Sequence, residues 1–125
     1  MTEQLPKKEI VRSKKLISSL FENGKYIGAA SLGLLFLPVL QDENTVTQVL
    51  FTVPKRKIRK ATDRNLLKRR MKEAYRKNKS KFEIKDHALV IAIIYQKSYI
   101  QSYSYIEDEL KKLMQRLNQK LEKEE

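Results

Sequence analysis

Residues 88–95 read ALVIAIIY, a run without a charge and with only the tyrosine hydroxyl as a polar side-chain group. The longest uncharged stretch of the chain, Ile27–Leu40, has 14 residues, and a membrane-spanning helix takes about 20. The run at 88–95 is short and almost wholly apolar, without the polar stripe of a surface helix. A strand buried on both faces satisfies it best, and such a strand needs further strands beside it. The chain is therefore expected to build a sheet around this segment.

Two other strands are expected, one over about Ala30–Leu40 and one over Thr45–Val53, TVTQVLFTV, which Pro54 closes. QDEN at 41–44 is a turn signal, so these two are expected to pair as a hairpin. Ser13 can cap a short helix running to about Glu22, with Leu16, Ile17, Leu20 and Phe21 on one side and Asn23-Gly24 at its end. A basic helix follows over about Thr62–Lys79. The last helix starts near Ser102 or Ser104, where Ser104-x-x-Glu107 fits a capping box. Its apolar stripe is Ile106, Leu110, Leu113, Met114, Leu117 and Leu121. The order helix-strand-strand-helix-strand-helix makes a small α+β two-layer sandwich with its helices on one face. No repeat or linker divides it, so residues 1–125 form one domain, with about 1–7 and 119–125 expected to fray.

Charge is segregated. The chain carries +12, and the window Lys55–Lys81 holds 14 bases and only two acids, Asp63 and Glu73, so the whole excess lies there. A merely solvated helix mixes signs through Glu–Lys pairs four apart. On the helix wheel Leu67, Met71, Ala74 and Tyr75 share the face to be buried. Arg64, Asn65, Lys68, Arg69, Lys72 and Arg76 share the arc beside it. Lys68–Lys72 and Lys72–Arg76 are like-charge pairs that cost an isolated helix about 0.2–0.5 kcal/mol each. Upstream, PKRKIRK adds Lys55, Arg56 and Lys57 on a loop. A polyanion is the natural partner, through phosphate contact and counterion release.

Catalytic chemistry by the polypeptide is not visible. There is no cysteine and one histidine, His87, beside the start of the buried strand, where a strand-edge role is expected. Asp42 and Glu43 fall in the turn, while Glu107, Asp108 and Glu109 suit the dipole of the last helix. No acid/base pair or metal cluster stands out, so no catalytic and no metal-ligating residue is assigned. The N-terminus lacks a signal-peptide core, and no membrane partner is expected. A cytoplasmic location follows as the expectation.

The segment PKRKIRKATDRNLLKRRMKEAYRKNK resembles the signature helix of the bacterial ribonuclease P protein component. Ala61, Arg64, Asn65, Lys68, Arg69, Glu73, Ala74, Tyr75 and Arg76 match its pattern. Lys72 stands for a usual Arg, which keeps charge without the bidentate fork. Leu66 replaces the second Arg of the RNR triplet, on an arc away from core and basic face. EIVRSKKLISSLFENGK resembles the family's first helix through Arg12, Phe21, Gly24 and Lys25. The likeness spans about residues 8–118.

The resemblance implies a ribosomal-protein-like sandwich with a left-handed βαβ crossover. It implies a protein subunit of ribonuclease P, an endoribonuclease whose chemistry is carried by the catalytic RNA and Mg2+, the metal being bound mainly through the RNA. Its partners would be that RNA and precursor tRNA, from which the 5′ leader is removed. Lys55, Arg56, Lys57, Arg64, Asn65, Lys68, Arg69, Lys72 and Arg76 would bind RNA. The family's leader cleft between sheet and first helix would correspond to Phe21, Ile17, and Leu34 or Phe36, depending on register. The alternative is a structured-RNA-binding protein of ribosomal type with no catalytic partner. A DNA-binding regulator is disfavoured by the two long strands, and a stand-alone nuclease by the missing acid/base set.

Overall fold

The computed structural model describes residues 9–11, 13–38, 46–80 and 88–123. In chain order the elements are α1 (Lys14–Asn23), β1 (Lys25–Gly28), β2 (Leu32–Pro38), β3 (Gln48–Thr52), α2 (Ala61–Asn78), β4 (Leu89–Tyr95) and α3 (Tyr103–Lys123). Arg12, the turn at 41–44 and His87 lie outside the described residues, as do residues 1–7.

The apolar run organises the sheet as its composition requires. β4 lies inside the order β1-β2-β4-β3. It pairs antiparallel with β2, Leu34 opposite Ile93, and parallel with β3, Val49 opposite Ile91. All of β4 is buried except the partly buried Ile94. The expected hairpin between the second and third strands is therefore wrong, because β4 stands between them. The most apolar strand gains most from an interior place, and this outweighs the local turn signal. The hairpin that does form joins β2 to β1, a strand the sequence reading did not include. Its turn is closed by Ala29 N donating to Leu32 O at 2.9 Å.

β4 divides its side chains between two cores. Leu89, Ile91, Ile93 and Tyr95 meet α2 and α3 together with Leu32, Leu34, Phe36, Val49 and Phe51. Val90 and Ala92 face the other way and pack with Leu20 of α1, along with Leu16, Ile17, Leu35, Leu50 and Ile94. The α+β class holds, but the helices are not all on one face: α1 lies alone on the second. Burial of a strand on both sides demands cover on both sides.

Helix ends follow local chemistry. Ser13 Oγ accepts from Leu16 N at 3.3 Å, and Gly24 N closes α1 on Leu20 O at 2.8 Å. α3 is capped by Ser102, whose Oγ accepts from Tyr105 N at 3.2 Å, rather than by a box at Ser104. α3 continues through Lys123, with Leu121 buried.

Candidate nucleic-acid interface

α2 buries the face its periodicity marks. Leu67, Met71 and Ala74 are fully enclosed, and Tyr75 meets Phe51 edge to face with ring centroids 5.8 Å apart. Burial, helped by the charge of Glu9, pushes the Tyr75 hydroxyl up to about 12, so it stays neutral. Beside this face the helix presents exposed Asn65, Arg69 and Lys72 and the partly exposed Lys68. Among the described residues, none of Lys68, Arg69 and Lys72 has an ion-pair partner. Three adjacent cations without acids make a positive strip that phosphate oxygens can fill.

Three arginines of α2 are tied down. Arg64 Nη1 donates to Ile58 O at 3.0 Å and to Arg59 O at 2.6 Å, bracing the loop that leads into its own helix. Arg76 grips Glu73 through two bonds, 2.6 and 3.1 Å, and this contact holds the Glu73 carboxyl below the usual carboxylate range. Arg70 donates to Gln101 O at 2.6 Å and fixes the loop before α3. Lys55, Arg56 and Lys57 are exposed on a turn after Pro54, whose carbonyl accepts from Lys57 N and Ile58 N at 3.0 and 3.1 Å. Ile58, 5 % exposed, pins that turn to the core. The structure thus brings the predicted bases onto one helix and its entry loop, and separates free cations from braces.

The predicted single-strand surface changes in part. Phe21 is half exposed on α1, one turn beyond Ile17, which packs on the α1-side core. Leu34 and Phe36, in contrast, are completely buried against the α2/α3 layer and cannot line a cleft beside α1. Strand side chains alternate, so the α1 side of β2 carries Gly33, Leu35 and Leu37 instead. Tyr26 of β1, paired with Leu35, belongs to this side and is half exposed. Its hydroxyl accepts from Gln96 Nε2 at 2.6 Å. A Cβ on Gly33 would stand 2.7 Å from both that hydroxyl and Gln96 Nε2, so only glycine lets Tyr26 lie here. Tyr26 was not among the residues expected here, because β1 is four residues long and too short for its alternation to stand out in the sequence.

Two acids expected to serve the dipole of α3 do other work. Glu107 Oε2 accepts from Asn78 Nδ2 at 3.0 Å and from the Tyr103 hydroxyl at 3.1 Å, locking α2 to α3. The Asn78 bond is the main reason the Glu107 carboxyl sits below its ordinary range. Glu109, 4 % exposed, accepts from Ser31 N at 2.9 Å in the β1–β2 turn. Among the described residues no three His, Cys, Asp or Glu side chains lie together. Asp63 lines one groove together with Arg56, Lys57, Arg59 and Lys60. These donors do not fit a magnesium site. Among the described residues no helix is long and apolar enough to cross a membrane.

The family model for ribonuclease P matches residues 5–118. The chain is similar to the ribonuclease P protein component of Chlorobaculum tepidum, 37% identical over 106 residues, covering 76% of this chain and 69% of that protein. It is also similar to the ribonuclease P protein component of Chlorobium phaeobacteroides, 34% identical over 125 residues, covering 88% and 85%. The fold resembles the RNase P protein from Thermotoga maritima with a TM-score of 0.69 at 23% identity, over 86% of this chain and 96% of that one.

Proposed function

The chain belongs to the ribonuclease P protein family, and from that premise we propose that its α2 strip holds the phosphates of the catalytic RNA while the α1 side of the sheet holds the 5′ leader of precursor tRNA. Members of this family are subunits of an endoribonuclease that matures tRNA, and this chain is such a subunit. The observation that carries the RNA assignment is the strip Lys68, Arg69 and Lys72, cations without acidic partners among the described residues, on the helix that bears the family motif. Asn65 adds a donor and acceptor inside the same field. Arg64 and the turn at 55–57 extend it toward the helix start.

Leader contact rests on Phe21 with Ile17, and on Tyr26 and Leu35 in place of Leu34 and Phe36. Bases of a single strand stack on exposed rings for about 1–3 kcal/mol each. Magnesium is assigned to the RNA, as the family resemblance implies; among the described residues no cluster of carboxylates offers it a site. The role of the protein is then to neutralise phosphates and position the leader. No membrane enters this reading, and a cytoplasmic location accords with it.

The test is cleavage of precursor tRNA by the cognate RNA alone, the protein alone and both together. We expect no cleavage by the protein, and a lower magnesium requirement for the pair than for the RNA. Magnesium-dependent cleavage by RNA-free protein, lost on mutating its acids, would overturn the reading.

A further inference from the structure

A second feature adjoins the strip without belonging to its motif. Between the loop entering α2 and the loop leaving β4 lies a groove of about 530 Å3, with Arg56, Lys57, Arg59 and Lys60 on one wall and Tyr99 and Ile100 on the other. The cations outnumber the single acid there, Asp63. Tyr99 is 58% and Ile100 43% exposed, so the ring and the aliphatic side chain are both open to a ligand.

Both walls are fixed before anything binds. Arg64 ties Ile58 O and Arg59 O on the basic side. On the other side the buried Tyr95 hydroxyl donates to Tyr99 O at 2.6 Å and accepts from Gln101 N at 3.1 Å. Arg70 holds Gln101 O from α2. Lys60, the residue that precedes α2, caps it with no side-chain bond, so its ammonium is not spent on the helix end. The result is a rigid aromatic and aliphatic wall facing a cluster of cations. An anion alone would use the cations and leave the ring idle. An apolar ligand would leave the cations unpaired. An unpaired nucleotide of an RNA uses both, its base on the ring and its phosphate among the bases.

We propose that this groove captures one unpaired nucleotide of an RNA whose neighbouring duplex phosphates lie on the α2 strip, the base stacking on Tyr99 and the phosphate meeting Arg56, Lys57 and Lys60. The proposal rests on the RNA reading of α2 and adds a choice of RNA shape to it. It makes the protein prefer a junction between paired and unpaired RNA over a continuous duplex.

The probes are a short blunt RNA duplex and the same duplex with one unpaired 3′ 5-iodouridine, offered to the full chain. The overhang duplex should bind about five-fold or more tightly than the blunt one, from a single stacked base. Irradiation should cross-link the iodouridine to Tyr99. Tyr99→Ala should bring the affinity ratio to about one, while Tyr99→Phe keeps the preference. Equal binding of both duplexes, or a cross-link to Phe21 or Tyr26 instead, overturns the groove and leaves the α2 strip standing. Failure of both duplexes to bind overturns the strip, and the groove with it.

Discussion

The Arg64 guanidinium donates to the carbonyl of Arg59 across 2.6 Å, so a motif arginine supports the loop beside it as well as the field around it. A hydrogen bond from a charged donor contributes about 1.5–3 kcal/mol, less where solvent reaches it. Arg64→Ala should therefore lower stability by about 1 kcal/mol in urea unfolding, whereas Arg69→Ala, an exposed change, should stay within about 0.5 kcal/mol. RNA affinity should fall in both. Equal stability of the two variants would mean the brace does not matter.

Phe21→Ala should weaken precursor tRNA binding by about five-fold or more, with little effect on mature tRNA, because only the precursor offers a strand to stack. The mutant should unfold near the wild-type midpoint, since the ring is already 50% exposed. Phe36→Ala should behave in the opposite way, with a loss of about 3–5 kcal/mol of stability from the vacated core. Equal weakening for both tRNAs in folded Phe21→Ala would move the leader elsewhere.

These contrasts mark where the sequence was legible. The two faces of α2 could be read because Leu67, Met71, Ala74 and Tyr75 recur at helical spacing among charges. β2 could not be read in the same way: Leu34, Leu35, Phe36 and Leu37 are all apolar, so no alternation says which face meets α1. Pairing was hidden for a different reason. The position of β4 between β2 and β3 is a contact between distant segments, which QDEN at 41–44 cannot encode. β1 is only four residues long and follows Gly24 directly, too brief for a pattern. The braces were invisible because nothing in Arg64 or Glu107 as residue types announces a carbonyl or an amide from another turn or helix.

Acid should loosen the α2–α3 junction. The Asn78 amide and Tyr103 hydroxyl favour the charged form of Glu107, so its folded pKa lies below the unfolded one. That stabilisation is complete above the unfolded value of about 4.3. It is lost as pH falls through the lower folded value. Glu107→Gln should be less stable than wild type at pH 7, and the difference should shrink by pH 3 in urea titrations. A difference that stays constant across that window would remove Glu107 from the junction's pH response.

Gly33→Ala should displace Tyr26, because the new methyl would meet its hydroxyl at 2.7 Å. The Tyr26–Gln96 bond should break, visible as a shift of the Gln96 side-chain amide in NMR spectra. Leader binding should weaken while binding of mature tRNA persists. An unmoved amide signal would show that the ring is not held over this glycine.

The most direct test of the central claim is the salt dependence of binding to the catalytic RNA. Each phosphate contact contributes about 0.9 to the log–log slope on duplex, or about 0.7 on single strands. Lys68→Ala combined with Arg69→Ala removes two cations without disturbing a brace, and should flatten the slope by roughly 1.4 to 1.8 units. Circular dichroism should show the helices intact. A folded double variant with wild-type slope and affinity would mean that this face of α2 is only solvated, and that the RNA lies elsewhere.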